Sequence, residues 1–278
     1  MAAHPKIANV PGMVHGSVMG RVWINGAVRD ARDPVLTPDC AGLLIGRGVF
    51  ETLLGRNGEP VFLPRHLRRL ASGTERLGLP MPDPVLVELA LRMMMVENDL
   101  ATGKARLRIT VVPGTVLVSA ASWVDYPSAA AIVTSPFLRN ERSALAGIKT
   151  TSYAENLLTL EEARRRGGDE AILANSRGEL CEGATTNLFL VEDGVVITPP
   201  LDSGCLPGVM REVVLEVCHA QGIPAREEAR SIGALGDCCE AFLTSSLRGV
   251  QTVGMIDGRP VESPGETTQR IGAALALW

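Results

Sequence analysis

The segment IKTTSYAENLLTLEEARRRGGDEAILANSRGELCEGATTNLFLV, residues 148–191, holds a helix followed by a strand meander. Thr151 or Ser152 is suited to cap the helix, and Gly167-Gly168 to end it. The runs EAILAN and LCEGATTNLFLV then read as strands joined by a turn at Arg177-Gly178, and Asp193-Gly194 turns the chain into VVITP. One residue in this meander is out of place for its surroundings. Glu182 sits inside an apolar strand, where a carboxylate is costly unless it meets a positive charge. Lys149, just ahead of the helix, is by itself an ordinary lysine; beside such a carboxylate it becomes a candidate for chemistry.

Working outward, LPGVMREVVLEVCHAQG reads as a helix that starts after Pro207-Gly208, with Met210, Val213, Val214 and Val217 inward. The amides at such a helix start are a natural anion site. The strand EAFLTSS ends in the hydroxyls of Thr244, Ser245 and Ser246. Toward the N-terminus, Asn57-Gly58 marks a hairpin between FETLLG and PVFL. A helix with Pro64 in its first turn follows. Its apolar stripe is Leu67, Leu70, Ala71, Thr74 and Leu77, and the opposite face, with His66, Arg69, Gly73 and Arg76, is expected toward solvent. A second helix is expected over 83–98. The strand ARLRITVV places Arg106, Arg108 and Thr110 on one face and Leu107, Ile109 and Val111 on the other.

The whole is an α+β chain with meandering sheets in both halves. The expected organisation is a tail over 1–18, a small N-terminal domain over 19–128, a linker over 129–140 and a larger domain over 141–278. The 278 residues are 46% hydrophobic and 21% charged, with a net charge of −4. No broad basic field is present to recruit nucleic acid or an anionic membrane. No stretch approaches the roughly 20 apolar residues of a membrane span. The six cysteines show neither a C-x-x-C pair nor a paired histidine spacing, so neither a zinc site nor a disulfide framework is expected. A reducing cytoplasm is the expected compartment.

Four blocks in order, GRGVFET (46–52) with HLRRL (66–70), KTTSYAEN (149–156), DEAIL to EGATTNLF (169–189), and LPGVMR with LTSS (206–211, 243–246), resemble the class IV aminotransferases, the fold-type-IV pyridoxal-phosphate (PLP) enzymes. That family includes branched-chain and D-amino acid aminotransferases and aminodeoxychorismate lyases. The resemblance runs from about Trp23 to Val253. It implies two domains with meandering sheets or a barrel flanked by helices, and a homodimer with active sites at the interface. It implies PLP as cofactor and an amino donor and a 2-oxo acid as substrates. Lys149 then matches the lysine that forms the imine to PLP and shuttles the proton. Glu182 matches the partner of the pyridine nitrogen, Arg69 the phosphate-binding arginine, the amides of Val209 and Met210 the phosphate cup, and Ser246 a further phosphate contact. Tyr153 falls one residue before the position of a family tyrosine that meets the cofactor phenol oxygen. Arg108 falls where branched-chain enzymes carry an arginine and the lyase a lysine, and so is expected to hold a substrate carboxylate; Arg248 is a second candidate. The segment after Gly114 lacks the Arg-x-His trap of D-amino acid enzymes. The Lys or Arg after F-E-G of branched-chain enzymes is also absent, since this chain reads FETLLG. The expected reaction is transamination, with pyruvate elimination from aminodeoxychorismate as the alternative.

Overall fold

The computed structural model describes residues 20–33, 36–261 and 264–276, and the tail expected over 1–18 lies outside them. Two sheets form the body. The first half contributes β1 (Arg21–Ile24), β2 (Ala27–Asp30), a short α1 (Ala41–Leu44), β3 (Val49–Arg56) and β4 (Glu59–Pro60). Next come α2 (Leu63–Arg76), α3 (Pro84–Glu97), β5 (Lys104–Val112) and β6 (Thr115–Ser122). The six strands pair in the order β2-β1-β6-β5-β3-β4. Asn57 and Gly58 have φ of 50° and 81°, the left-handed pair that a tight hairpin needs. Asp83 caps α3 by accepting from the Val85 amide at 2.8 Å, and Pro84 fits the first turn. The α3 residues Val87, Ala90, Leu91, Met94 and Met95 bury against Leu53, Leu107 and Ile109 of the sheet.

The second half opens on β7 (Ala129–Arg139) and continues with α4 (Ala154–Arg165), β8 (Glu170–Asn175), β9 (Leu180–Gly183), β10 (Asn187–Glu192) and β11 (Val195–Thr198). Then follow α5 (Val209–Ala220), β12 (Ala225–Glu227), α6 (Ala234–Asp237), β13 (Glu240–Ser245), β14 (Gly249–Ile256), β15 (Arg259–Pro260) and α7 (Glu266–Leu275). The strand order is β12-β11-β10-β13-β14-β7-β8-β9, with β15 on β14. The sheet is mixed: β7 runs parallel to both β14 and β8, and β13 runs antiparallel to β10 and β14. Phe189 and Phe242 stack at 4.8 Å between centroids and seat α5 and α7 on one face.

Three expectations are corrected. The span 129–140, expected as a linker although AAAIVTS within it reads as a strand, instead holds one strand over 129–139 inside the large sheet, and the passage between sheets is the short run 123–128. The irregular pattern of PFLR hid the continuation of a strand whose register shifts between Thr134 and Leu138. Neither Thr151 nor Ser152 caps α4: the Thr151 hydroxyl donates instead to the Gly46 carbonyl, and Tyr153 holds the cap position without a side-chain bond. The α2 face expected toward solvent is turned inward at His66 and Gly73, both buried, because a second layer of protein covers it.

Candidate active site

Lys149 is placed by its backbone. Its carbonyl accepts from the Phe50 amide at 2.9 Å, and the Thr151 amide donates to the Gly48 carbonyl at 2.8 Å. These two bonds stitch the segment before α4 onto the start of β3, joining the two halves of the chain at the lysine. Gly48 must lack a side chain there, since a Cβ would lie 2.7–2.9 Å from Val112, Thr151 and the Val111 carbonyl. The Lys149 Nζ lies 4.7 Å from the Phe50 ring centre and 5.6 Å from that of Tyr153. It has no hydrogen-bond or ion-pair partner among the described residues. Burial, with Arg69 and Arg108 nearby, lowers its pKa to about 8, against the opposing pull of Glu51 and Glu182.

Beside it lies a buried charge network. Glu51, on β3, accepts from Arg69 Nε at 2.8 Å and Nη2 at 2.6 Å, and shares its second oxygen with His66 Nδ1 at 2.7 Å. Glu51 and His66 are both fully buried. Burial pushes the Glu51 carboxyl up, but the Arg69 charge and hydrogen bonds, with the His66 Nδ1 hydrogen bond, outweigh it and hold the carboxyl down at about 2. Arg69 also donates to the Pro207 carbonyl at 3.1 Å, and so reaches the loop that opens α5. There Gly208 precedes the helix with no side-chain cap, leaving first-turn amides for a ligand. A Cβ at Gly208 would meet Asn187 Oδ1 at 1.9 Å, so the loop packs directly on β10. Ser246 stands opposite, its Oγ 3.1 Å from His66 Nε2.

Glu182 is 8% exposed; it accepts from Arg139 Nε at 3.1 Å and from the Leu206 amide at 2.8 Å. Burial raises its pKa, and Arg139 and the Leu206 amide oppose that rise. Tyr153 Oη contacts the Ala184 carbonyl at 3.4 Å, and burial pushes its phenol up. Two cavities meet at Lys149 and Tyr153. The smaller, about 330 Å³, is lined by Glu182 and Arg139. The larger, about 660 Å³, is lined by Arg69, Arg108, Val209, Met210, Ser246 and Arg248. Every residue singled out from sequence therefore borders one of two adjoining spaces.

The two substrate candidates differ in their freedom. Arg108 stacks on Phe50 at 3.9 Å and bonds Thr110 Oγ1 only through Nε, at 3.1 Å. Its terminal fork takes no hydrogen bond among the described residues. Burial and the neighbouring Arg106 lower its pKa to about 10, so it stays cationic at neutral pH. Arg248 is committed: it donates to Gln251 at 2.8 Å and to Glu170 at 3.3 Å and lies over the Tyr126 ring. The structure thus makes it a pin between β14, β8 and the passage 123–128.

Residues 48–256 match the family model Amino-transferase class IV, three quarters of the chain. The chain belongs to the class IV aminotransferase family. A branched-chain-amino-acid aminotransferase of Salmonella typhimurium is 29% identical over 281 residues, covering 91% of each chain. The branched-chain aminotransferase of Thermoproteus uzoniensis, solved with norvaline, superposes with a TM-score of 0.86 at 27% identity over 92% of this chain and 93% of that one. The T.th. branched-chain enzyme, solved with N-(5'-phosphopyridoxyl)-L-glutamate, gives 0.84 at 25% identity over 93% of each. As a class IV aminotransferase the protein is a PLP-dependent enzyme of fold type IV that acts on amino acids and 2-oxo acids. Its residues fit that cofactor. Among the described residues Thr186 Oγ1 and Thr244 Oγ1 are buried without a partner, and both residues line the larger cavity, as do Val209 and Met210 of the open first turn of α5. Two orphaned hydroxyls and an uncapped helix start are what a phosphate would satisfy.

Sequence reasoning missed four members of the site. Phe50 is the floor on which Lys149, Arg108 and Tyr153 converge, at 5.2 Å from the tyrosine ring. Glu51 and His66 organise Arg69, and Arg139 pairs Glu182. A signal for Glu51 was present: a carboxylate inside VFETLL is as anomalous as Glu182 inside its own strand.

Proposed function

We propose that Lys149 carries PLP and, once released by the incoming amine, moves the substrate Cα proton. PLP supplies an aldehyde for the amine and a ring that withdraws electrons from Cα. Arg69, the amides of Val209 and Met210, and Ser246 take its phosphate. Glu182 meets the pyridine nitrogen, and its pairing with Arg139 and the Leu206 amide keeps it aimed for that contact. Tyr153 faces the phenol oxygen. Arg108 holds the α-carboxylate of the amino acid, which makes the donor an amino acid and the acceptor a 2-oxo acid. The observation that carries this reading is the buried, cationic and unbonded fork of Arg108 in the cavity that Lys149 borders. A guanidinium fork so placed suits bidentate binding of a carboxylate. We also propose a homodimer in the cytoplasm. The exposed Leu43, Leu44 and Ile45 offer apolar surface to a second copy, and six free cysteines suit a reducing compartment.

Purified protein given an amino acid and a 2-oxo acid is expected to yield the exchanged pair, followed by chromatography. In Arg108→Met, kcat/KM for amino acids should fall by about 100-fold, while a primary amine without a carboxylate loses little. An equal loss for both would remove Arg108 from the substrate. Pyruvate release from aminodeoxychorismate without amino transfer would replace transamination by the lyase reaction.

A further inference from the structure

His66 is a buried titratable group that neither binding the substrate nor the proton transfer at Lys149 requires. It bridges Glu51, through Nδ1 at 2.7 Å, and Ser246, through Nε2 at 3.1 Å. The roles of the two ring nitrogens follow from the neighbours. Glu51 is held ionised by Arg69 and is therefore acceptor-only, so the Nδ1 of His66 must carry a hydrogen. In the neutral ring Nε2 is then an acceptor, and among the described residues the hydrogen it takes is that of the Ser246 hydroxyl. In that state Ser246 turns lone pairs, and no donor, toward the larger cavity it lines. An anion arriving there meets a repelling oxygen.

Protonation of Nε2 reverses the chain. Nε2–H then donates to Ser246 Oγ, and the hydroxyl hydrogen is freed to point into the cavity. We propose that Ser246 and His66 form a proton-coupled latch, in which seating the cofactor phosphate on Ser246 draws one proton from solvent onto His66 Nε2. The two events favour each other, because a phosphate dianion near the ring stabilises the imidazolium and the imidazolium turns Ser246 into a donor.

The charged groups that face His66 are Glu51 from β3, Arg69 from its own helix, and Lys149. Arg65 is turned away to Glu212 and Glu216. In the free chain burial lowers the His66 pKa, Glu51 opposes it, and Arg69 and Lys149 lower it further. The ring is therefore neutral near pH 7 before the phosphate arrives. Binding that raises the pKa takes up a proton between the free and bound values, and affinity falls as pH rises through that window, by up to about tenfold per pH unit for one proton. His66, Glu51 and Ser246 are positioning residues in this scheme.

The inference rests on the assignment of Ser246 to the phosphate, and the experiment separates the two. The probe is pyridoxamine phosphate, which carries the phosphate but no aldehyde to react with Lys149. The full chain, labelled with 15N in its histidine rings, is read with and without this ligand above about pH 7, where its phosphate is a dianion. His66→Gln assigns the signal among the four histidines. The Nε2 resonance is expected to change from unprotonated to protonated on binding. In parallel, the dissociation constant is followed over about pH 7 to 9 in wild type and Ser246→Ala. Lys149 titrates in the same range, so the difference between the two proteins is the reading. Ser246→Ala should bind more weakly and lose up to about one unit of the log–log slope. An Nε2 that stays unprotonated, or is protonated already without ligand, overturns the latch even if Ser246→Ala weakens binding. Unchanged binding in Ser246→Ala overturns the phosphate assignment, and the latch with it.

Discussion

Lys149→Ala is expected to lower kcat for amino transfer by about 10⁴-fold, the combined loss of a covalent anchor and a positioned proton carrier. The protein should still fold, because the lysine makes no hydrogen bond or ion pair among the described residues and its methylenes are replaced at the edge of an open cavity. Unfolding temperature should stay unchanged or rise slightly, since a partly desolvated cation has been removed. The argument for its chemistry is electrostatic. Burial, Arg69 and Arg108 lower its pKa to about 8 from 10.5. At pH 7 about a tenth of such lysines are neutral, against less than about one in a thousand for an ordinary one. A neutral amine is what cofactor attachment and proton abstraction both need. The sign follows: the rate of PLP attachment in wild type should rise with pH and level off above about 8. Borohydride reduction followed by mass spectrometry should place PLP on Lys149 in wild type and nowhere in Lys149→Ala. Turnover by the variant within about tenfold of wild type would sink the assignment.

The difference between what residues 148–191 and their flanks disclosed and what they concealed has a physical pattern. Glu182 and the start of α5 were legible because each is a local anomaly, a polar group in an apolar strand or a helix opened by Pro-Gly, and Lys149 became legible only beside them. The period-two facing of Arg106 and Arg108 was legible for the same local reason, and both border the cavity. What stayed hidden depends on long-range packing. His66 lies on a helix face whose composition reads as solvated, and only the packing of β3 and of Ser246, just past β13, against it makes it buried. Arg139 ends a strand whose irregular register masked it as linker, yet it reaches Glu182 across 43 residues of sequence. Arg248 read as a second carboxylate ligand, and its commitment to Glu170 and Gln251 appears only when β8 and β14 are brought together. The substrate side of the site was thus narrowed by the tertiary structure, while the lysine side was already written in short motifs.

Glu51→Ala should cost about 3–5 kcal/mol of folding stability, the range for removing one partner of a buried pair. The reason is the fate of the groups left behind. Arg69 would lose the acceptor for Nε and Nη2 together, and His66 the acceptor for Nδ1, in a space where neither can be rehydrated without opening β3 from α2. A loss of that size lowers the unfolding temperature of a domain this large by roughly 10 °C. Glu51→Gln is the informative companion: it keeps the volume, but its amide turns a donor toward one of the donors the carboxylate accepted, so it should recover only part of the loss. The effect should depend on pH in one direction. The folded pKa of Glu51 is depressed, to about 2 from 4.5, so its contribution is present in full above the unfolded value and fades as pH falls toward 2. The stability gap between wild type and Glu51→Ala should therefore be constant from neutral pH down to about 5 and narrow below it. Cofactor retention should fall with stability, because Arg69 would no longer be held in place against the Pro207 carbonyl. Denaturant melts of the cofactor-free proteins, set beside dialysis of the loaded ones, separate the two effects. An unfolding free energy within about 1 kcal/mol of wild type would mean that water or a rearranged side chain replaces the carboxylate, and that the network is not what fixes Arg69.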